Sequence, residues 1–210
     1  MTYYKRHLPH WQPEGAEFFI TFRLAESLPE EAVKKLKSYQ EQLREQNDEN
    51  LRNEIIRKTF QKYEGLLDKA ETGPTWLKEE KIARIVQEAL HFYNNKDYDL
   101  YAYCIMPNHV HMVFKHLAKN GNTDKSKNSY PVTTILQSIK SYSALECNKI
   151  LDRTGAFWQS ESYDRVIRDQ YELENKIRYT LNNPVKARLV QKWEEWPYSY
   201  CKHEFINSFR

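Results

Sequence analysis

Cysteine is scarce in these 210 residues: Cys104, Cys147 and Cys201 stand far apart and form no C-x-x-C. That spacing argues against a disulfide framework or a cysteine zinc centre, and it fits a reducing cytoplasm. Long apolar runs are missing too, since no window approaches the roughly 18 apolar residues of a membrane span. The opening Met1-Thr2-Tyr3-Tyr4-Lys5-Arg6-His7 lacks the apolar core of a signal peptide. A soluble, cytoplasmic protein with no membrane partner is expected. Nor is charge of one sign in excess, because 32 Lys and Arg against 29 Asp and Glu leave a net +3. Composition alone then announces no nucleic acid; only the distribution of charge could. No internal repeat and no second domain of comparable size is visible, so residues 1–210 are read as one domain.

Aromatic residues are plentiful, with 15 Tyr, 9 Phe and 5 Trp, and such rings can form core or stack on bases. The organising stretch is Met106-Pro107-Asn108-His109-Val110-His111-Met112-Val113-Phe114. Side chains at i and i+2 of a strand share a face, about 7 Å apart. His109 and His111 therefore stand together, while Val110, Met112 and Phe114 take the other side. Two imidazoles so placed can ligate one metal ion, although two surface histidines on a half-buried strand satisfy the same short pattern. Pro107 and Asn108 are turn formers, which puts the pair at a hairpin end.

In chain order, residues 1–16 read as an extended lead-in. Phe18, Ile20, Phe22 and Leu24 then alternate as one face of a strand. Ser27-Leu28-Pro29-Glu30 has the capping-box pattern of a helix start, with Val33, Leu36 and Leu43 to bury. Arg44 to Lys58 is strongly charged and reads as a solvated helical arm or long loop. Thr72-Gly73-Pro74 breaks the chain, and Ile82, Ile85, Val86, Ala89 and Tyr93 recur at helical spacing. Tyr98 to Ile105 forms a hairpin with the histidine strand. Lys119 to Tyr130 reads as a flexible loop, and Pro131 opens a helix to about Leu151. Phe157-Trp158 and Tyr163-Asp164-Arg165-Val166-Ile167-Arg168 give a fourth, shorter strand. A last helix runs from about Gln170 to Asn182, stopped by Asn183-Pro184. The tail from Val185 to Arg210 is irregular or short-helical, with Trp193, Trp196 and Tyr198 to dock it.

This order predicts an α+β, ferredoxin-like (RRM-like) fold. The expectation is a four-stranded antiparallel sheet with helices on one face, and a helical elaboration after the first strand at about 29–95. A second constellation lies on the last helix. Tyr179 and Asn183 are four apart and share a helix face; a phenol can be an oxygen nucleophile, and an amide oxygen can complete a metal site begun by two imidazoles. Tyr142 and Glu146 stand four apart as well, and a carboxylate is a good hard-metal ligand. Spacing leaves both pairs open.

The run Met106-Pro107-Asn108-His109-Val110-His111 resembles the HUH signature (His-hydrophobic-His) of single-tyrosine transposases. Phe157-Trp158-Gln159, Asp164-Arg165-Val166-Ile167-Arg168-Asp169 and Tyr179-Thr180-Leu181-Asn182-Asn183-Pro184-Val185-Lys186-Ala187 are similar to the REP-associated tyrosine transposases. Those are domesticated relatives of insertion-sequence transposases, linked to repetitive extragenic palindromes (REPs). The resemblance implies that Tyr179 is the nucleophile and that His109, His111 and Asn183 hold a divalent metal, Mg or Mn. It implies cleavage of single-stranded DNA hairpins through a 5′-phosphotyrosine, with strand transfer by a 3′-hydroxyl, from a monomer or homodimer. A free phenol titrates near pH ~10, so Tyr179 must lose its proton during attack, and the sequence offers no obvious base. Arg168 and Arg188, with Lys186, Arg165 and Lys140, are the DNA-contact candidates, since Arg and Lys neutralise phosphates. The alternative is a noncatalytic single-stranded DNA or RNA binding module using Tyr101 and Tyr103 as stacking platforms. A metal-dependent hydrolase with water as nucleophile is a third reading.

Overall fold

The computed structural model describes residues 3–5, 9–46, 48–118 and 130–206. The lead-in forms a small antiparallel pair, β1 (Tyr3–Lys5) and β2 (Pro9–Trp11). Next come β3 (Glu17–Leu24), α1 (Glu30–Glu45), α2 (Glu49–Lys69) and α3 (Glu80–Phe92). The hairpin is β4 (Tyr98–Ile105) and β5 (His109–His116), followed by α4 (Pro131–Ile150). The chain finishes with β6 (Trp158–Ile167), α5 (Gln170–Lys186), β7 (Ser199–Cys201) and α6 (His203–Ile206). The expected loop at 119–129 lies outside the described residues.

The main sheet has the order β6-β3-β5-β4-β7, and every neighbouring pair is antiparallel. The four expected strands are thus joined by a fifth. The tail supplies β7, whose Tyr200 pairs Tyr103, and the Trp196 indole N–H donates to the Ile105 carbonyl at 2.9 Å. The fourth strand is also longer than expected. β6 keeps register with β3 from Ile167 to Ser162, then passes an irregularity with three residues opposite Arg23 to pair Trp158 with Leu24; such a bulge takes up extra residues without ending the ladder.

Helices cover both faces rather than one. Phe18, Ile20 and Phe22 of β3 and Val110, Met112 and Phe114 of β5 pack with α3 and α4. But Phe19, Val113, Tyr101 and Ala102 are buried as well, against Leu173, Ile177 and Leu181 of α5. A sheet whose central strands are apolar on both sides needs cover on both sides. The second face is the one that His109 and His111 share.

Two helix ends differ from the sequence reading. Ser27 does not cap α1, because its hydroxyl donates to the Leu24 carbonyl at 2.8 Å and Pro29 takes the cap position. And α5 runs through Pro184 to Lys186 instead of stopping at Asn182. The extra turn ends where Arg188 takes a left-handed φ of 59°. There Leu189 N–H bonds the Pro184 carbonyl at 2.9 Å, a closure that satisfies the last carbonyls. This continuation keeps Asn183 within the helix.

Candidate metal and tyrosine site

The hairpin turn is held from both sides. Leu24 N–H donates to the Asn108 carbonyl at 2.8 Å and Leu77 N–H to the Pro107 carbonyl at 3.1 Å. His109 and His111 follow at once, both 0% exposed, with Nε2 atoms 3.0 Å apart. A neighbour orients each ring. Asn108 Oδ1, which only accepts, lies 2.7 Å from His109 Nδ1 and so fixes the hydrogen there. Thr21, the cross-strand partner of His111, has its hydroxyl 2.8 Å from Nδ1 and donates to Glu64 Oε1 at 3.5 Å. A hydroxyl that donates to a carboxylate is free to accept from Nδ1–H. Both Nε2 lone pairs then face a common point, the pattern of metal-ligating histidines whose other nitrogen is held by an outer partner.

Helix α5 brings its pair to the same place. Asn183 is 1% exposed with Nδ2 3.0 Å from His111 Nε2, and the Tyr179 ring lies 5.5 Å from the His111 ring. Tyr142, the sequence rival, is 49% exposed on α4, on the opposite face of the sheet, and Glu146 pairs with Lys149 at 2.6 Å. Geometry separates the two tyrosines that spacing left equal.

The charged segment reaches the site as well, which the sequence reading missed. Asp48 caps α2 by accepting from Asn50 and Leu51 N–H. The helix then runs inward until Tyr63 and Leu67 are buried. Glu64 and Asp68, four apart on its inner face, meet the histidines and the phenol. Tyr179 O–H donates to Glu64 Oε2. Asp68 Oδ1 lies 3.8 Å from His109 Nε2, and its Oδ2 takes Lys186 at 2.6 Å. The available signal was a Glu and an Asp at helical spacing among Phe60, Tyr63 and Leu67.

Burial sets the electrostatics. It pushes His109 down to about 3, helped by Lys186. His111 falls well below its ordinary value through burial, then His109, Lys176 and Lys186. With both rings neutral, their contacts to Asp68 and Glu64 are not ion pairs. Burial lifts Glu64 to about 8, reinforced by Asp68, and raises Asp68 itself against the pull of Lys186.

The residues fit a metal ion. Among the described residues, Asp68 Oδ1 and Asn183 Oδ1 are buried with no hydrogen-bond partner, and unpaired buried polar atoms are costly. One ligand atom from each of Asp68, His109 and His111 falls within 4.8 Å of the others. Ligands at right angles on an ion with bonds of about 2.1 Å sit about 3.0 Å apart, matching the Nε2 pair. Turning the Asn183 amide over, which exchanges its oxygen and nitrogen, would offer Oδ1 from the same side.

The five basic candidates are scattered. Lys186 sits at the site, 5.8 Å over the Tyr179 ring. Lys176, not singled out by sequence, lies 5.6 Å over the same ring and 4.4 Å over Phe19. Arg168 and Arg188 are exposed at the two ends of α5. Arg165 is ion-paired with Glu172. Lys140 is on α4, donating to the Gln159 carbonyl at 3.0 Å. Tyr101 and Tyr103, the proposed stacking platforms, are 6% and 2% exposed and serve as core. α5 and Phe205 cover Tyr101, while α3, through Gln87 and His91, and Tyr200 cover Tyr103, so neither offers a face to a base.

No family model matches the chain. Over 103 residues, 49% of its length, it is 29% identical to the "Putative REP-associated tyrosine transposase" of Haemophilus influenzae. That match spans 58% of the relative. Among solved structures it is similar to a REP-associated tyrosine transposase bound to a REP hairpin, with TM-score 0.53 and 16% identity. The likeness covers 95% of this chain and 82% of the other. The partial sequence match and the shared fold thus both point to REP-associated tyrosine transposases as what this chain is similar to.

Proposed function

We propose, from this similarity and the site's geometry, that the chain is a metal-dependent single-stranded DNA endonuclease and strand transferase of the HUH tyrosine type. Its substrates are DNA hairpins such as repetitive extragenic palindromes, and a reaction on chromosomal DNA puts its work in the cytoplasm. The observation that carries this reading is the phenol of Tyr179 beside two buried imidazoles whose Nε2 atoms are 3.0 Å apart. A noncatalytic binder has no use for that arrangement. The strand order supports a ferredoxin-like core, and the chain works as one domain elaborated by α1–α3 and the tail.

In this reaction Tyr179 attacks the scissile phosphorus in line. The phenol gives up its proton as a bond forms from its oxygen to phosphorus, the bond from phosphorus to the 3′-oxygen breaks, and that oxygen gains a proton from water. The products are a 5′-phosphotyrosine and a 3′-hydroxyl, and a 3′-hydroxyl can reverse the exchange because the diester count is unchanged. His109, His111 and Asn183, with Asp68, would hold Mg or Mn, which when bound offsets the charge developing on the phosphate. Lys176 and Lys186 flank the phenol and draw the phosphate towards it. Arg168 and Arg188 extend the basic path along α5, with Arg165 and Lys140 as further contacts.

The test uses labelled single-stranded hairpins with Mn, with Mg and with chelator, followed by denaturing gels. A metal-dependent covalent band that is lost in Tyr179→Phe and kept in Tyr142→Phe is the expected result. Cleavage without a band would indicate attack by water, and binding with neither would indicate a binding module.

A further inference from the structure

We propose that Glu64 accepts the proton of Tyr179 during attack. The inference rests on the proposed reaction and supplies the base that the sequence did not offer. Its ground is geometric. Glu64 Oε2 accepts the Tyr179 O–H, and Oε1 takes the Thr21 hydroxyl at 3.5 Å. The residue is 4% exposed. A general base must lie within hydrogen-bond reach of the proton it takes, and this carboxylate does so with the phenol as its partner.

The placement follows from two helices of matching design. On α5, Tyr179 and Asn183 are one turn apart; on α2, Glu64 and Asp68 are one turn apart. Glu64 meets the phenol, while Asp68 meets His109 and Lys186. One carboxylate of the helix therefore serves the nucleophile and the next turn serves the metal centre.

The step balances. As the bond from the Tyr179 oxygen to phosphorus forms, the phenolic proton passes to Glu64 Oε2 and leaves a carboxylic acid. The departing 3′-oxygen lies on the far side of the phosphorus and takes its proton from water. In the return direction a 3′-hydroxyl attacks and releases its proton to water, the bond from phosphorus to the tyrosine oxygen breaks, and Glu64 gives the phenol its proton back.

The experiment measures single-turnover adduct formation on a hairpin with Mn for the wild type, Glu64→Gln, and Glu64→Gln carrying 3,5-difluorotyrosine at position 179. Fluorination acidifies the phenol and reduces its need for a base. The expected result is a rate about 100-fold slower in Glu64→Gln, with Mn and hairpin affinity unchanged and at least tenfold of the loss recovered by fluorination. Glu64→Ala with added formate is the second arm, and formate should restore turnover there. An unchanged rate in Glu64→Gln overturns the inference. So does loss of Mn affinity, which would make Glu64 a ligand, or a slow variant that neither fluorination nor formate rescues. A wild-type chain that forms no adduct removes the underlying reading, and the inference with it.

Discussion

Each imidazole of the pair owes its aim to one neighbour, Asn108 for His109 and Thr21 for His111. Outer partners of this kind typically carry about 10–100-fold in metal affinity. Asn108→Ala should therefore weaken Mn binding by about 10–100-fold, read by calorimetric titration, while circular dichroism stays that of the parent. The cysteines behave in the opposite way, as plain packing. Burial pushes Cys104 and Cys147 to about 12 and Cys201 to about 11. The thiolate is the reactive form, so iodoacetamide at neutral pH should leave all three largely unmodified until urea unfolds the chain, as mass spectrometry would register. At this scale the sequence was informative wherever spacing alone dictates a shared face. His109 with His111 and Tyr179 with Asn183 are such cases. Glu64 and Asp68 obey the same spacing rule, but they follow a run of charges in which a buried carboxylate looks like any solvated one.

Among the elements, α2 owes its aim to its two ends. Asp48 fixes its start, and Gly73 fixes the turn that returns the chain towards α3. A Cβ on Gly73 would stand 2.2 Å from the Glu26 carbonyl oxygen, and its φ of +74° disfavours any side chain. Gly73→Ala should cost at least about 2 kcal/mol, visible as a lower urea midpoint with unchanged slope. It should also loosen Glu64 and Asp68 before it disturbs the sheet. The strands were readable because alternation of Phe18, Ile20, Phe22 and Leu24 admits a single register face. The end of α5 was not. Proline forbids one backbone hydrogen bond but not the helix itself, and burial of Leu181, Asn183 and Pro184 against the sheet outweighs that loss. The one-sided helix layer failed for a related reason: Phe19 and Val113 lie between the residues of the alternating stripe, and their apolar character calls for a second cover.

For the molecule as a whole, an ion bound by the folded site and not by the unfolded chain must raise stability by mass action. At a free concentration about 100 times Kd the gain is about 2.7 kcal/mol. A chain of this size shifts by about 2–4 °C per kcal/mol, so Mn should raise Tm by about 5–10 °C in differential scanning fluorimetry. His109→Ala should abolish the shift. The tail adds to the same stability by extending the sheet through β7, a contribution the sequence showed only as three aromatic docking residues. Its strand pairing depends on Ile105 and Tyr103, partners distant along the chain, which local patterns do not reveal. One further property follows from where the pieces of the site reside. The phenol, both imidazoles, the amide and both carboxylates all belong to a single polypeptide. Among the described residues one chain therefore brings all six groups together, so the initial velocity of the proposed reaction should be first order in protein, with no lag, and a higher order would show that a second copy contributes.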